Sequence, residues 1–335
     1  MKMKKSTKES QFKSTYLMNS FNDYFEILKD ISLMEQNKVL WYRGQFDESW
    51  HLEPNLFRHR KETADYWGRE VDPLNPKFHF SSGYTVEFPN FVDELDSFKH
   101  LVLGEFADSI YIPQNDFEWM FLGQHYGLLT PLVDFTTDPL IALFFSCDGN
   151  LPKNKFQSLD SCNEQFNDYG YSDDCAAVFV MLPSEINKLS FFKEMDNNNF
   201  IDIVEPVELN DSNIKKLEGY VTWNNAFFTP LCIIAPKTDY RLIRKSGNFL
   251  CYGENAQPID YINGYKNCLY KIYIPYCLFS ELKSMLAILD LTQKSVYGEE
   301  KYDKIGNRCK DDIKDKFYMK MKELSEKIRQ QENVK

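Results

Sequence analysis

Three short polar blocks interrupt otherwise apolar sequence: Arg43-Gly44-Gln45, the run Gln124-His125-Tyr126, and Asp134 followed at one remove by Thr136. Arginine carries a planar, always charged guanidinium that can hold phosphate, ribose or carboxylate oxygens through a two-pronged fork. Gly44, beside it, permits close approach of a ligand. Arg43 thus has two readings that can hold together, a ligand grip and an ion pair with Asp134 that pins strand to loop. His125 reads either as an acid/base group or as a hydrogen-bonded structural histidine, since no carboxylate or nucleophile stands at a fixed spacing to it. Asp134 and Thr136 serve either a site or a turn and cap, the usual use of D-x-T before a helix. Polar blocks set in apolar surroundings need one another as partners, so Arg43, His125 and Asp134 are expected to converge.

Other chemistries find less support. His51, Glu53 and His59 have a metal-like spacing, but Pro54 breaks the helical geometry they would need, and no metal is expected. No P-loop, dinucleotide-binding glycine fingerprint, G-x-S-x-G elbow or zinc-hydrolase helix is present.

The elements that must position these residues follow from periodicity. Residues 19–36 place Phe21, Tyr24, Phe25, Ile27, Leu28 and Ile31 at helical spacing behind Ser20 as N-cap. A strand over Lys38 to Tyr42 ends in Arg43-Gly44-Gln45. Residues 58–88 are polar and punctuated by proline, a loop or linker. Helices are predicted over Asn90 to Ile110 and Asp116 to Tyr126, then a short strand carrying Asp134, then a helix capped by Thr137 or Asp138 with Pro139 in its first turn. The polar stretch 148–174 reads as a surface insertion. Ala176 to Leu182 is apolar without alternation, as expected of a strand covered on both faces, and Phe227 to Ala235 and Leu269 to Ile274 are further strands. Tyr240 to Tyr252 reads as strand, glycine turn and strand, and Phe279 to Leu291 as a helix. Residues 311–329 set Ile313, Phe317, Met321, Leu324 and Ile328 on one stripe, a helix suited to docking on the domain or on a second copy of the chain. Strands and helices come in runs and do not alternate as βαβ units. The expectation is an α+β fold with a twisted mixed sheet wrapped by helices: a flexible N-terminus over 1–18, one domain over 19–291 and a tail over 292–335.

At 335 residues, 43% hydrophobic and 16% aromatic, the chain has ample material for a core. A net charge of −11 disfavours broad attraction to nucleic acid or to an anionic membrane, which leaves a small molecule or a protein as the expected partner. The eight cysteines are scattered without a C-x-x-C pair and several sit in apolar runs, the pattern of reduced thiols in a cytoplasmic protein. No apolar run reaches the ~18 residues of a membrane span.

WYRGQ at 41–45, the W-x-L-x-P-x-L-F-R pattern at 50–58 and GQHYGLLTPLVDFTTDPLIALFFS at 123–146 closely resemble the FRG domain, a bacterial family named for its Phe/Tyr-Arg-Gly motif. Residues 230–250 and 270–291 resemble its later blocks. Two positions depart from the family pattern: Pro131 stands where an Arg is usual, and Lys245 where a Gln is usual. More distantly, the layout is similar to mono-ADP-ribosyltransferases, in which an Arg on the first strand grips NAD, a Ser/Thr motif supports the site, and a Glu on a third strand orients the ribose. That resemblance implies NAD as substrate and Arg43, His125, Asp134, Thr136 and Glu254 as catalytic candidates, Glu254 being the nearest carboxylate after the third block. It implies Tyr42, Gly44, Gln45, Gln124, Tyr126 and Lys245 as ligand contacts. The alternative is a non-catalytic module that uses the same residues to sense a nucleotide or dock a protein.

Overall fold

The computed structural model describes residues 12–58, 61–64, 85–87, 91–105, 112–125, 128–150, 158–190, 193–196, 199–202, 205–210, 212–215, 217, 229–235, 246–253 and 257–297. The strands are β1 (Ser14–Leu17), β2 (Trp41–Gln45), β3 (Lys61–Ala64), β4 (Thr85–Glu87), β5 (Leu132–Thr136), β6 (Cys175–Met181), β7 (Lys193–Asp196), β8 (Asn199–Asp202), β9 (Val207–Glu208), β10 (Leu231–Ile234), β11 (Gly247–Cys251) and β12 (Leu269–Pro275). Eight of them form one open mixed sheet in the order β1-β12-β6-β2-β5-β11-β10-β9, while β3-β4 and β7-β8 are separate hairpins. The α+β expectation is met. The sheet is mixed because β1 and β9 join its two edges parallel to their neighbours while every inner pair is antiparallel.

The core follows the apolar runs. Every residue of β6 and of β12 is buried. At about 1.5–3 kcal/mol for each large apolar side chain removed from water, these two strands anchor the sheet. The helices α1 (Phe21–Met34), α2 (Asn55–Arg58), α3 (Phe91–Glu105), α4 (Asp116–His125), α5 (Pro139–Cys147), α6 (Leu159–Tyr169) and α7 (Pro183–Leu189) are joined by later helices at Asn263–Lys266, Phe279–Ile288 and Gln293–Tyr297. In α1 the Ser20 hydroxyl accepts from the Asp23 N–H at 3.2 Å, as the sequence predicts. Its buried Tyr24 hydroxyl donates to the Pro139 carbonyl at 2.7 Å, tying α1 to the first turn of α5.

The chain divides into two compact units. The first, drawn from Met1–Glu53, Leu132–Lys216 and Asn224–Tyr297, holds the eight-stranded sheet with α1, α5, α6 and α7. The second, drawn from Pro54–Pro131, Leu217–Trp223 and Gly298–Lys335, holds α2, the β3-β4 hairpin, α3 and α4. Within it Lys99 pairs with Asp116 at 2.7 Å, and Phe98 meets Trp119 edge-on.

Three details differ from the sequence reading. Ser14–Leu17, placed in a flexible N-terminus, is an edge strand paired along its whole length with β12, which a four-residue segment reveals only through its partner. The polar stretch 148–174 carries α6, closed at its start by Ser158 and at its end by Gly170 in the left-handed region (φ 71°). The segment 58–88 contains the β3-β4 hairpin. The predicted helix over 311–329 lies outside the described residues, and among those described no helix is long and apolar enough to cross a membrane.

Candidate functional site

The large sheet has a weak join at its middle. Strand β2 pairs with β6 through five register positions, Trp41↔Met181 to Gln45↔Ala177, and β5 pairs with β11 through five more, Thr136↔Gly247 to Leu132↔Cys251. Between β2 and β5 there is one, Tyr42↔Thr136. Two four-stranded halves therefore meet at a seam. Next to that single pair, Arg43 Nη1 donates to the Asp134 carbonyl oxygen at 2.7 Å, a side-chain rung where backbone pairing has stopped. A hydrogen bond from a charged donor is worth about 1.5–3 kcal/mol, more than the neutral rung it replaces.

Strand alternation sorts the side chains. Residues paired across a sheet share a face, so Tyr42, Gly44, Thr136 and Asp134 lie on one side, and Trp41, Arg43, Gln45 and Phe135 on the other. The Trp41 and Phe135 rings, with centroids 6.4 Å apart, agree with that assignment. Arg43 and Asp134 are thus brought together through a backbone carbonyl, with their side chains directed to opposite faces.

The Tyr42 face is covered by α5. A Cβ at Gly44 would sit 1.8 Å from the Ala142 carbonyl oxygen and 2.7 Å from the Ser146 nitrogen, so the close approach that Gly44 permits here is that of a helix backbone. Thr136 Oγ1 accepts from the Asp138 N–H at 3.0 Å. Asp138 in turn caps α5 through Leu140 N at 2.8 Å and Ile141 N at 3.3 Å. Burial, and then the negative charge of Asp138, push the Tyr42 hydroxyl up to about 12.

The far end of the seam is closed by side chains from the loops that follow β2 and β11. Gln45 Nε2 donates to the His51 carbonyl at 3.3 Å. Asp260, 2% exposed, accepts from Leu52 N at 3.0 Å and meets His51 Nδ1 at 2.8 Å. Tyr252, wholly buried with its hydroxyl pushed up by desolvation, donates to the Leu52 carbonyl and accepts from Ile259 N at 3.0 Å. Tyr261 lies against the His51 ring, its hydroxyl 3.2 Å from Nε2. In the sequence His51 stands out only for its metal-like spacing, and Asp260 belongs to no motif. A lone acid in the apolar run Pro258-Ile259-Asp260-Tyr261-Ile262 was the available signal, because a buried carboxylate must find donors.

On the Arg43 face, two strands away on β12, Lys271 forms a buried pair with Glu48 at 2.7 Å, with Lys271 Nζ also donating to the Glu48 carbonyl at 2.6 Å. Lys271 lies 5.5 Å from the centre of the Phe179 ring, and Phe179 is the register partner of Arg43. Asn248, buried on β11, stands opposite Phe135 and so shares the Arg43 face.

In the second unit, Gln124 Oε1 accepts from Thr130 Oγ1 at 2.7 Å. His125 is the last residue of α4, and its side chain lies outside the described residues, as do Tyr126, Lys245 and Glu254. Among the described residues no group of three or more His, Cys, Asp or Glu could hold a metal ion. No curated protein and no solved structure matches the chain. Residues 38–155, which carry β2, β5, α5 and with them Arg43, His51, Asp134 and Thr136, match the family model of the FRG domain.

Proposed function

We propose that the seam between β2 and β5 is an NAD-directed site and that the chain transfers ADP-ribose or cleaves NAD. The observation that carries this reading is the order β2-β5-β11: the Arg-Gly strand, the D-x-T strand and the strand of the third sequence block are neighbours, and the sheet parts at Arg43. In such a site the guanidinium holds pyrophosphate or ribose oxygens. Its hydrogen bond to the Asp134 carbonyl fixes the direction of the fork before the ligand arrives, so little reorganisation is left for the binding step. On the same face Gln45 holds the His51 carbonyl and Asn248 lies buried, so both shape the site from within the sheet.

The test is release of nicotinamide from NAD by the purified chain, with Arg43→Lys beside it. Lysine keeps one donor for the Asp134 carbonyl and keeps the charge but loses the bidentate fork. A rise in melting temperature with ADP-ribose that disappears in Arg43→Lys, at unchanged stability without ligand, supports the site. No shift with any adenine nucleotide, together with a destabilised variant, refutes it and leaves Arg43 as a rung of the sheet.

A second reading, a non-catalytic module that senses a nucleotide or docks a protein, is favoured by the architectural tasks of Thr136 and Gly44, one capping α5 and the other admitting it. Binding of ADP-ribose without nicotinamide release selects that reading.

A further inference from the structure

Water that attacks the ribose C1′ of NAD sheds a proton, and a positioned acceptor accelerates that step. Strand β11, Gly247-Asn248-Phe249-Leu250-Cys251, contains no carboxylate to serve. The geometry points to His51, oriented by Asp260, as the proton-transfer group of the seam; this inference rests on the NAD-directed reading above.

Both oxygens of Asp260 are engaged, Oδ1 by Leu52 N at 3.0 Å and Oδ2 by His51 Nδ1 at 2.8 Å. An ionised carboxylate only accepts, so Nδ1 carries the hydrogen, and whenever the ring is neutral Nε2 keeps the lone pair. The Tyr261 hydroxyl, 3.2 Å from Nε2, takes the place that a reacting O–H would have to displace, and the His51 side chain is 37% exposed while that of Asp260 is 3% exposed. The arrangement is a buried acid fixing the tautomer of a partly exposed imidazole. The His51 carbonyl is held by Gln45, which lies on the Arg43 face of β2, about 7 Å along the strand from Arg43.

In the step assigned to it, a water oxygen forms a bond to the ribose C1′ as the C1′–N bond breaks. The bonding pair leaves on the nicotinamide nitrogen and cancels its positive charge. The proton lost by the water passes to Nε2 and then to solvent. An acceptor hydroxyl in place of water gives ADP-ribosyl transfer by the same balance.

The experiment measures nicotinamide release from NAD by the full chain across a range of pH, for the wild type, His51→Gln and Asp260→Asn. In Asp260→Asn the side-chain amide would keep an oxygen for Leu52 N but turn an N–H toward Nδ1, forcing the hydrogen onto Nε2. Asp260 acts through His51 and is a positioning residue, so its variant is read by kcat, KM and pH profile together. The expected result is a fall in kcat of about 10²–10⁴-fold in both variants with KM nearly unchanged, and loss of the rising limb of the wild-type pH profile in His51→Gln. If Asp260→Asn does not fold, His51→Gln decides. Nicotinamide release by His51→Gln at the wild-type rate, with the limb intact, overturns the assignment and leaves the NAD-directed reading standing. No release by the wild type overturns that reading and this assignment with it.

Discussion

Replacing Gly44 by alanine tests how closely α5 lies on the sheet. The added Cβ would fall 1.8 Å from the Ala142 carbonyl oxygen, and ordinary contact begins at about 3.4 Å, so the helix must retreat by roughly 1.5 Å. The obstacle is backbone on both sides, with no flexible side chain to swing away. Retreat would loosen Ile141, Ala142, Leu143 and Phe144, all buried, and would strain the Tyr24 hydrogen bond to Pro139. Overpacking a well-filled site costs ~1–3 kcal/mol, and with backbone against backbone the expected loss is at or above about 3 kcal/mol. That is a large share of the ~5–15 kcal/mol by which folded domains are stable. Gly170→Ala is the control. Its φ of 71° disfavours any side chain, but nothing lies within 4 Å, so only the backbone cost of about 1–2 kcal/mol applies. Urea denaturation of both variants, with hydrogen exchange at the α5 amides, reads the difference. If Gly44→Ala costs no more than Gly170→Ala and leaves α5 protection unchanged, the packing argument is refuted.

Further outcomes follow from individual groups. Glu94 sits in the first turn of α3, where the helix dipole favours an anion, yet burial holds its carboxyl up at about 7 against an ordinary 4.5. Because its folded pKa is raised, its contribution is fully present below pH 4.5 and is lost as pH rises through 7, a penalty on the order of 2 kcal/mol at pH 8 once partial solvent screening is allowed for. Glu94→Gln should therefore raise the melting temperature at pH 8 and have little effect near pH 4; a gain independent of pH contradicts this. Lys271→Met should cost about 3–5 kcal/mol by leaving the Glu48 carboxylate buried without its partner, and adding Glu48→Gln should recover much of it in a double-mutant cycle. Asp138→Ala should cost about 1 kcal/mol through loss of the α5 cap, and ultraviolet titration should find the Tyr42 hydroxyl easier to ionise once that charge is gone.

Local features were legible in the amino-acid order because their physics is local. Ser20 as a cap, Thr137 or Asp138 with Pro139 at the start of α5, and the unbroken apolar run that became β6 each need only a few consecutive residues to be recognised. The α+β class followed in the same way, from the succession of periods along the chain. What pairs with what was not legible. Strand register joins segments far apart in sequence, so the order β2-β5-β11 and the lone Tyr42↔Thr136 pair at its centre emerge only when the sheet is assembled. Arg43 showed that it wanted an oxygen, but not that one such oxygen is the carbonyl of Asp134, since side-chain chemistry alone does not distinguish a carboxylate from a backbone acceptor. Gly44 announced a close approach; whether of ligand or helix, the requirement on the sequence is the same missing Cβ. His51 and Asp260 stand 209 positions apart, and each has an ordinary local reading. Folding removes one from water beside the other, and the cost of burying a carboxylate without donors makes them a pair.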